Sequence, residues 1–137
     1  MIPDIREITA EQTWPIRHEV MWPDKPFDFV KVENDQEGTH YGLFLGDHLI
    51  SIVSIFNQGE SWQFRKFATL EDYQGRGYGS ELLSFVIEVI KQNSGKLLWC
   101  NARKGKIGLY KKFEMEETPK SFEKGGIEFV VMELELN

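Results

Sequence analysis

The sequence predicts an α/β domain, a mixed β-sheet with helices packed on it, and three observations carry that prediction. Residues Tyr41 to Leu45 and His48 to Phe56 are rich in β-branched and aromatic side chains. They flank Gly46-Asp47, a two-residue connection whose glycine permits the turn a hairpin needs. Further on, Leu82, Leu83, Val86, Val89 and Ile90 recur at i, i+1, i+4, i+7 and i+8, the apolar face of one α-helix. That helix lies between two strand-like stretches, Ser61 to Thr69 and Leu97 to Cys100, so the succession reads as a βαβ crossover joining parallel strands.

The remaining elements follow in order. Ile5 to Ile8 suits a short strand. Thr9 and Gln12 have the spacing of a capping box, so a helix follows, disturbed near Pro15 and ended by Pro23 and Pro26. The helix after Gly77 stops at Asn93-Ser94-Gly95, where glycine suits a C-terminal cap. A short helix over Ile107 to Phe113 and a last strand, Ile127 to Leu136, complete the chain. In that strand an imperfect alternation sets Phe129, Val131 and Leu134 apart from Glu128 and Glu133.

Size and composition narrow the function classes. A chain of 137 residues fits one domain over residues 1–137 and no second catalytic one. The lone Cys100 forms no internal disulfide, and one Cys with three scattered His builds no zinc site, so no metal is expected. No basic-then-apolar leader and no run near the roughly 18 apolar residues of a membrane span is present. A reducing, cytoplasmic setting is therefore expected. The net charge of −6 argues against nucleic acid and anionic membrane as partners. The charge is unevenly spread: Ser61 to Lys112 holds ten Lys/Arg against four Asp/Glu, a local balance of +6 inside an acidic chain. That stretch suits an anionic small ligand, and the acidic remainder would suit a cationic, polyamine-like acceptor.

Residues Gln74-Gly75-Arg76-Gly77-Tyr78-Gly79 sit where a strand gives way to the N-terminus of the best helix. Backbone N–H groups there lack intrahelical partners, glycines let the main chain approach an anion, and the helix dipole and Arg76 add positive potential. A pyrophosphate cradle is the chemistry this favours; a simple tight turn is the alternative. The Gly-Lys-Ser/Thr of a Walker loop and the early βαβ with its later acid of a dinucleotide fingerprint are both missing.

With Gln74, Gly77 and Gly79 matching Gln/Arg-x-x-Gly-x-Gly/Ala, the chain resembles the GNAT superfamily, the GCN5-related N-acetyltransferases. Arg65 to Tyr73 looks like the family's strand and turn before this loop, and Cys100 to Arg103 followed by Leu109-Tyr110 looks like its later motif. The resemblance implies a largely antiparallel mixed sheet flanked by helices, with two strands splayed around the pantetheine arm of acetyl-CoA. It implies pyrophosphate binding by the Gln74-Gly75-Arg76-Gly77-Tyr78-Gly79 loop, chiefly by the amides from Arg76 to Gly79. Pantetheine would pair with the strand edge at Phe67, Ala68 and Thr69, and Asn101 would contact the cofactor or order water. Tyr110 would donate a proton to the departing thiolate. The implied reaction moves an acetyl group to the amine of a small molecule or peptide by direct attack; a noncatalytic CoA-binding module is the alternative. The resemblance also allows a homodimer. One departure stands out: the family commonly closes its short helix with Gly-Phe, whereas here Lys112-Phe113 runs into Glu114-Met115, so Glu114 must avoid a left-handed conformation or accept about 1 kcal/mol of strain.

Other residues have weaker assignments. Cys100 reads as an inert buried thiol. Trp14 and Trp22 are core aromatics or the walls of an acceptor pocket. His40, His18-Glu19 and Glu60 are candidate bases by location alone, and Arg17 reads as half of a surface ion pair, with binding of a carboxylate on the acceptor as the alternative.

Overall fold

The computed structural model describes residues 2–136. Seven strands form one sheet in the order β1-β2-β3-β4-β5-β7-β6. They are β1 (Pro3–Ile8), β2 (Thr39–Leu45), β3 (His48–Gln58), β4 (Ser61–Thr69), β5 (Leu97–Arg103), β6 (Glu116–Lys124) and β7 (Ile127–Glu135). Every neighbouring pair is antiparallel except β4 with β5. The crossover predicted between those two is made by α2 (Tyr78–Gln92). Helix α1 (Ala10–Ile16) precedes β2, and the short α3 (Ile107–Lys111) follows β5.

Central β3 is buried continuously from Ile50 to Phe56, as expected of a strand covered on both faces. On one face α2 lays Leu82, Leu83, Val86, Ile87 and Ile90 against Leu43, Val53, Phe64, Leu98 and Met132. Burying each of those helix side chains contributes about 1.5–3 kcal/mol. On the other face Ile16 of α1 packs with Ile8, Phe44, Ile52 and Ala68. No helix among the described residues is long and apolar enough to cross a membrane.

Local details follow the sequence closely at the turns. The β2–β3 hairpin closes on Gly46 at φ 63° while Asp47 keeps a negative φ, the signature of a turn with a left-handed first residue. The Thr9/Gln12 capping box is formed. Pro15 lies inside α1, and from Arg17 to Met21 the helix loosens into a π-helical turn.

The structure departs from three expectations and adds one strand. The left-handed residue at the end of α2 is Ser94 (φ 64°), not Gly95. Gly95 is required instead by close packing, because a Cβ there would collide with Ile90 Cγ2 and lie 2.8 Å from Trp62 Cδ1. Strand β7 buries Val130 and Met132 and turns Phe129 the other way, since its pairing with β5 sets Cys100 opposite Met132. The edge strand β6 was not anticipated; charged, exposed and broken in register between Glu117 and Ser121, it lacks the alternation that marks a half-buried strand. Arg17 is not on the surface at all: it is fully buried against Asp35.

Candidate active site

Strands β4 and β5 pair only from Ser61↔Leu97 to Gln63↔Trp99 and separate thereafter. The separation begins at a bulge: the β3–β4 register shifts between Ile52 and Ser54, and Lys66 adopts φ 57°. This kink puts Phe64 and Phe67 together on the α2 side, ring centroids 6.2 Å apart, with the Tyr110 ring 5.5 Å from one and 6.4 Å from the other. The result is a cleft of about 710 Å³ that runs between the two strands.

The Gly-rich loop forms one end of that cleft. Gln74 Nε2 donates to the Thr69 carbonyl at 2.8 Å, tying the loop to the end of β4. Gly75 (φ 77°) and Gly77 (φ 87°) are left-handed, and a Cβ on either would meet nothing within 4 Å, so both face open space. Gly77 is the N-cap of α2 and brings no side-chain cap, which leaves first-turn N–H groups available to an anion. Gly79 serves a different purpose: a Cβ there would come within 3.1 Å of Thr69 Oγ1 and 3.2 Å of Phe67 Cζ, so its small size lets α2 start against β4.

The cleft brings together Phe67, Ala68, Thr69, Gln74, Gly75, Gly77, Gly79, Asn101 and Tyr110 among the residues expected from sequence. Arg76 and Tyr78 are not part of its lining. The Arg76 guanidinium lies 5.8 Å over the Tyr73 ring, and the Tyr78 ring packs 6.4 Å from the same tyrosine. Tyr110 is buried among aromatics, and its hydroxyl makes no hydrogen bond to another described residue. Burial, with the neighbouring Cys100, raises its pKa, so the phenol stays protonated at neutral pH. Cys100 is itself pushed up to about 12 by burial, which makes it a poor nucleophile, as expected.

None of the candidate bases reaches the cleft. His40 is buried, with Nδ1 2.6 Å from Ser54 Oγ and Nε2 2.9 Å from the Asp35 carbonyl oxygen. His18 Nε2 contacts the Lys25 carbonyl at 2.7 Å, and Glu60 lies exposed 3.7 Å from Lys96. Trp14 donates to Asp35 at 3.1 Å and belongs to the Arg17 network, while Trp22 lies beneath Arg103. Among the described residues no Asp, Glu or His lines the cleft. What sequence reasoning missed is its cationic wall, Arg65, Lys66 and Arg103, together with Val20, Met21 and Phe129. The available signal was the Arg65-Lys66 doublet, which breaks the alternation of β4.

The match with known proteins agrees with this geometry. Residues 2–115 fit the model of the acetyltransferase (GNAT) family. An uncharacterized N-acetyltransferase of Bacillus subtilis (strain 168), YitI, is 30% identical over 133 residues, covering 90% of this chain and 89% of the relative. Among solved structures, a candidate N-acetyltransferase from Lactobacillus plantarum superposes with TM-score 0.89 at 18% identity, covering 100% of both chains. A GNAT family acetyltransferase from Elizabethkingia anophelis, solved with acetyl-CoA bound, gives TM-score 0.78 at 19% identity over 98% of both chains. At those identities the two structures speak to the fold alone.

Proposed function

The chain belongs to the acetyltransferase (GNAT) family, an enzyme family of acyltransferases, and on that premise we propose that it moves the acetyl group of acetyl-CoA to a primary amine of a small molecule or peptide within a ternary complex. One observation carries this reading: the open, left-handed Gly75 and Gly77 at the start of α2 line the same cleft as the split between β4 and β5 and as Tyr110. The amides from Arg76 to Gly79 hold the pyrophosphate, as donors at a helix N-terminus do. The β4 edge at Phe67 to Thr69, left unpaired where β5 departs, offers backbone partners to pantetheine. Asn101, exposed on β5, contacts the cofactor or orders a water.

Catalysis on this account is mostly positioning plus one proton. The amine lone pair forms the new C–N bond to the acetyl carbon while the C–S bond breaks and its electron pair goes to sulfur. Tyr110 gives its proton to that sulfur, and the proton shed by nitrogen restores the phenol through water. A fixed N–H from the β4 edge would polarise the thioester carbonyl at little reorganisation cost. The same reading takes residues 1–137 as one acetyltransferase domain working in a reducing cytoplasm, which the lone buried thiol and the single sheet support.

The test is release of free thiol from acetyl-CoA on adding amines, with the acetylated amine identified by mass spectrometry. Amine-dependent release that falls steeply in Tyr110→Phe supports the reading. Acetyl-CoA binding without transfer to any primary amine would defeat it.

A further inference from the structure

The half of the cleft nearest α1 has a chemistry of its own. Arg65 and Lys66 come from β4 and Arg103 from β5, so cations approach the split from both sides. Arg103 is oriented by its surroundings: its guanidinium lies 5.3 Å over the Trp22 ring, and Nη2 donates to the Met21 carbonyl at 3.5 Å. The Arg65 guanidinium lies 5.8 Å over Phe56. The ion pairs among the described residues employ Arg6, Arg17, Lys31, Lys91, Lys96, Lys104 and Lys111. None involves Arg65, Lys66 or Arg103. In an acidic chain with 22 Asp and Glu, three half-buried cations thus line a cavity to which no Asp or Glu among the described residues contributes.

We propose that the acceptor amine carries a carboxylate, which Arg65, Lys66 and Arg103 bind in the α1-side half of the cleft between β4 and β5. The proposal rests on the acetyl-CoA reading of the same cleft and reverses the cationic acceptor that the overall charge suggests. Like charges held together with partial loss of water are costly, and an anion among them relieves both terms. Lys66 registers that cost: burial first, then Arg65, Arg17, Lys124 and Arg103, lower its pKa to about 8. The planar fork of an arginine matches a carboxylate with two parallel hydrogen bonds. Val20, Met21 and Phe129 line the same region, so the body of the acceptor is apolar, and a singly charged carboxylate is cheaper to desolvate there than a phosphate dianion. The CoA phosphates have separate donors in the amides of the Gly-rich loop at the start of α2.

The test compares kcat/KM at saturating acetyl-CoA for leucine and methionine, their carboxamides, their decarboxylated amines, spermidine and O-phosphoethanolamine. The amino acids are expected to exceed their uncharged-tail counterparts by about tenfold or more, the loss expected for one charge-assisted hydrogen bond. Arg103→Gln and, as a second variant should that one fold poorly, Arg65→Gln are expected to raise KM for the amino acids and bring that ratio toward one. Calorimetric titration of the same variants with acetyl-CoA checks that the cofactor still binds. Equal or better turnover of the carboxamides, simple amines or spermidine overturns the proposal, as does a preference that survives both variants. A preference for O-phosphoethanolamine overturns the carboxylate assignment. Acetyl-CoA binding with no carboxylate-bearing acceptor turned over sinks the acceptor proposal alone, whereas failure to bind acetyl-CoA sinks the underlying reading and this one with it.

Discussion

Arg17 and Asp35 form a two-pronged buried pair, with Nη1 2.9 Å from Oδ2 and Nη2 3.0 Å from Oδ1. Around them Arg17 also donates to the Val30 carbonyl and to Ser54 Oγ, and Asp35 accepts from Trp14 and from the Val32 amide. The network fastens the π-helical turn to β3, and that turn carries Val20 and Met21 into the cleft. Removing one partner leaves the other charged and buried. Arg17→Met or Asp35→Ala is therefore expected to cost about 3–5 kcal/mol in denaturant unfolding, and the double variant Arg17→Met/Asp35→Leu distinctly less than the sum.

The same pair fixes a pH dependence. Burial alone would raise the Asp35 pKa, but the bonds from Arg17, Val32 and Trp14 outweigh it and hold the carboxyl below its usual value. A depressed carboxylate contributes stability above its unfolded pKa and loses it as pH falls through the folded one. Unfolding midpoints should hold steady near neutrality and drop in acid below about pH 4, with a smaller drop in Asp35→Asn.

Tyr110→Phe separates chemistry from packing. The ring sits between Phe64 and Phe67, and its hydroxyl has no protein partner among the described residues, so stability should change by less than about 0.5 kcal/mol. Loss of a positioned proton donor should lower kcat about 100-fold with acetyl-CoA affinity retained. An unchanged kcat would remove Tyr110 from the mechanism.

Glu114 adopts the left-handed conformation (φ 68°) that the missing glycine would have supplied. Its N–H donates to the Lys111 carbonyl at 2.9 Å and that of Met115 to the Tyr110 carbonyl at 3.2 Å, closing α3 as a glycine cap would. Buried Met115 offers the accompanying apolar contact. The helix end is thus kept at the expense of strain, and Glu114→Gly is expected to stabilise the fold by up to about 1 kcal/mol, read as a raised melting temperature with kcat preserved.

Lys66 gives the cleft a titration near physiological pH. Its lowered pKa of about 8 means that the folded state pays a charging penalty below that value, relieved as pH rises toward the unfolded lysine value. The groups around it, Arg65, Arg17, Lys124 and Arg103, are basic side chains that oppose its charge. Binding of N-acetylleucine to the CoA-loaded enzyme should therefore weaken as pH rises through about 8, and Lys66→Arg should flatten that dependence. A pH-independent affinity in the wild type would speak against Lys66 as an anion ligand.

Most of the scaffold was readable from local chemistry. The Gly46 hairpin, the apolar face of α2 and the crossover between β4 and β5 each rest on a periodicity or turn that short-range physics dictates. The Gly-rich loop reads as an anion cradle from its own chemistry, whereas the role given to Tyr110 rests on a family motif. The rest depended on tertiary pairing. Arg17 looks like any surface arginine until Asp35 and Ser54, 18 and 37 residues away, close over it. The inward face of β7 is set by its register with β5 and not by its own alternation. The cationic wall brings Arg65 and Lys66, at the bulge of β4, together with Arg103, which sits 37 positions beyond Lys66 on another strand.

Isothermal titration with acetyl-CoA reads out whether the open loop at the start of α2 receives the CoA pyrophosphate. Gly77→Glu places a carboxylate where the cradle is open, at some backbone strain from φ 87°. The account predicts one-to-one binding by the wild type and its loss in a folded Gly77→Glu variant. Absence of binding by the wild type, or undiminished binding by the variant, would contradict it.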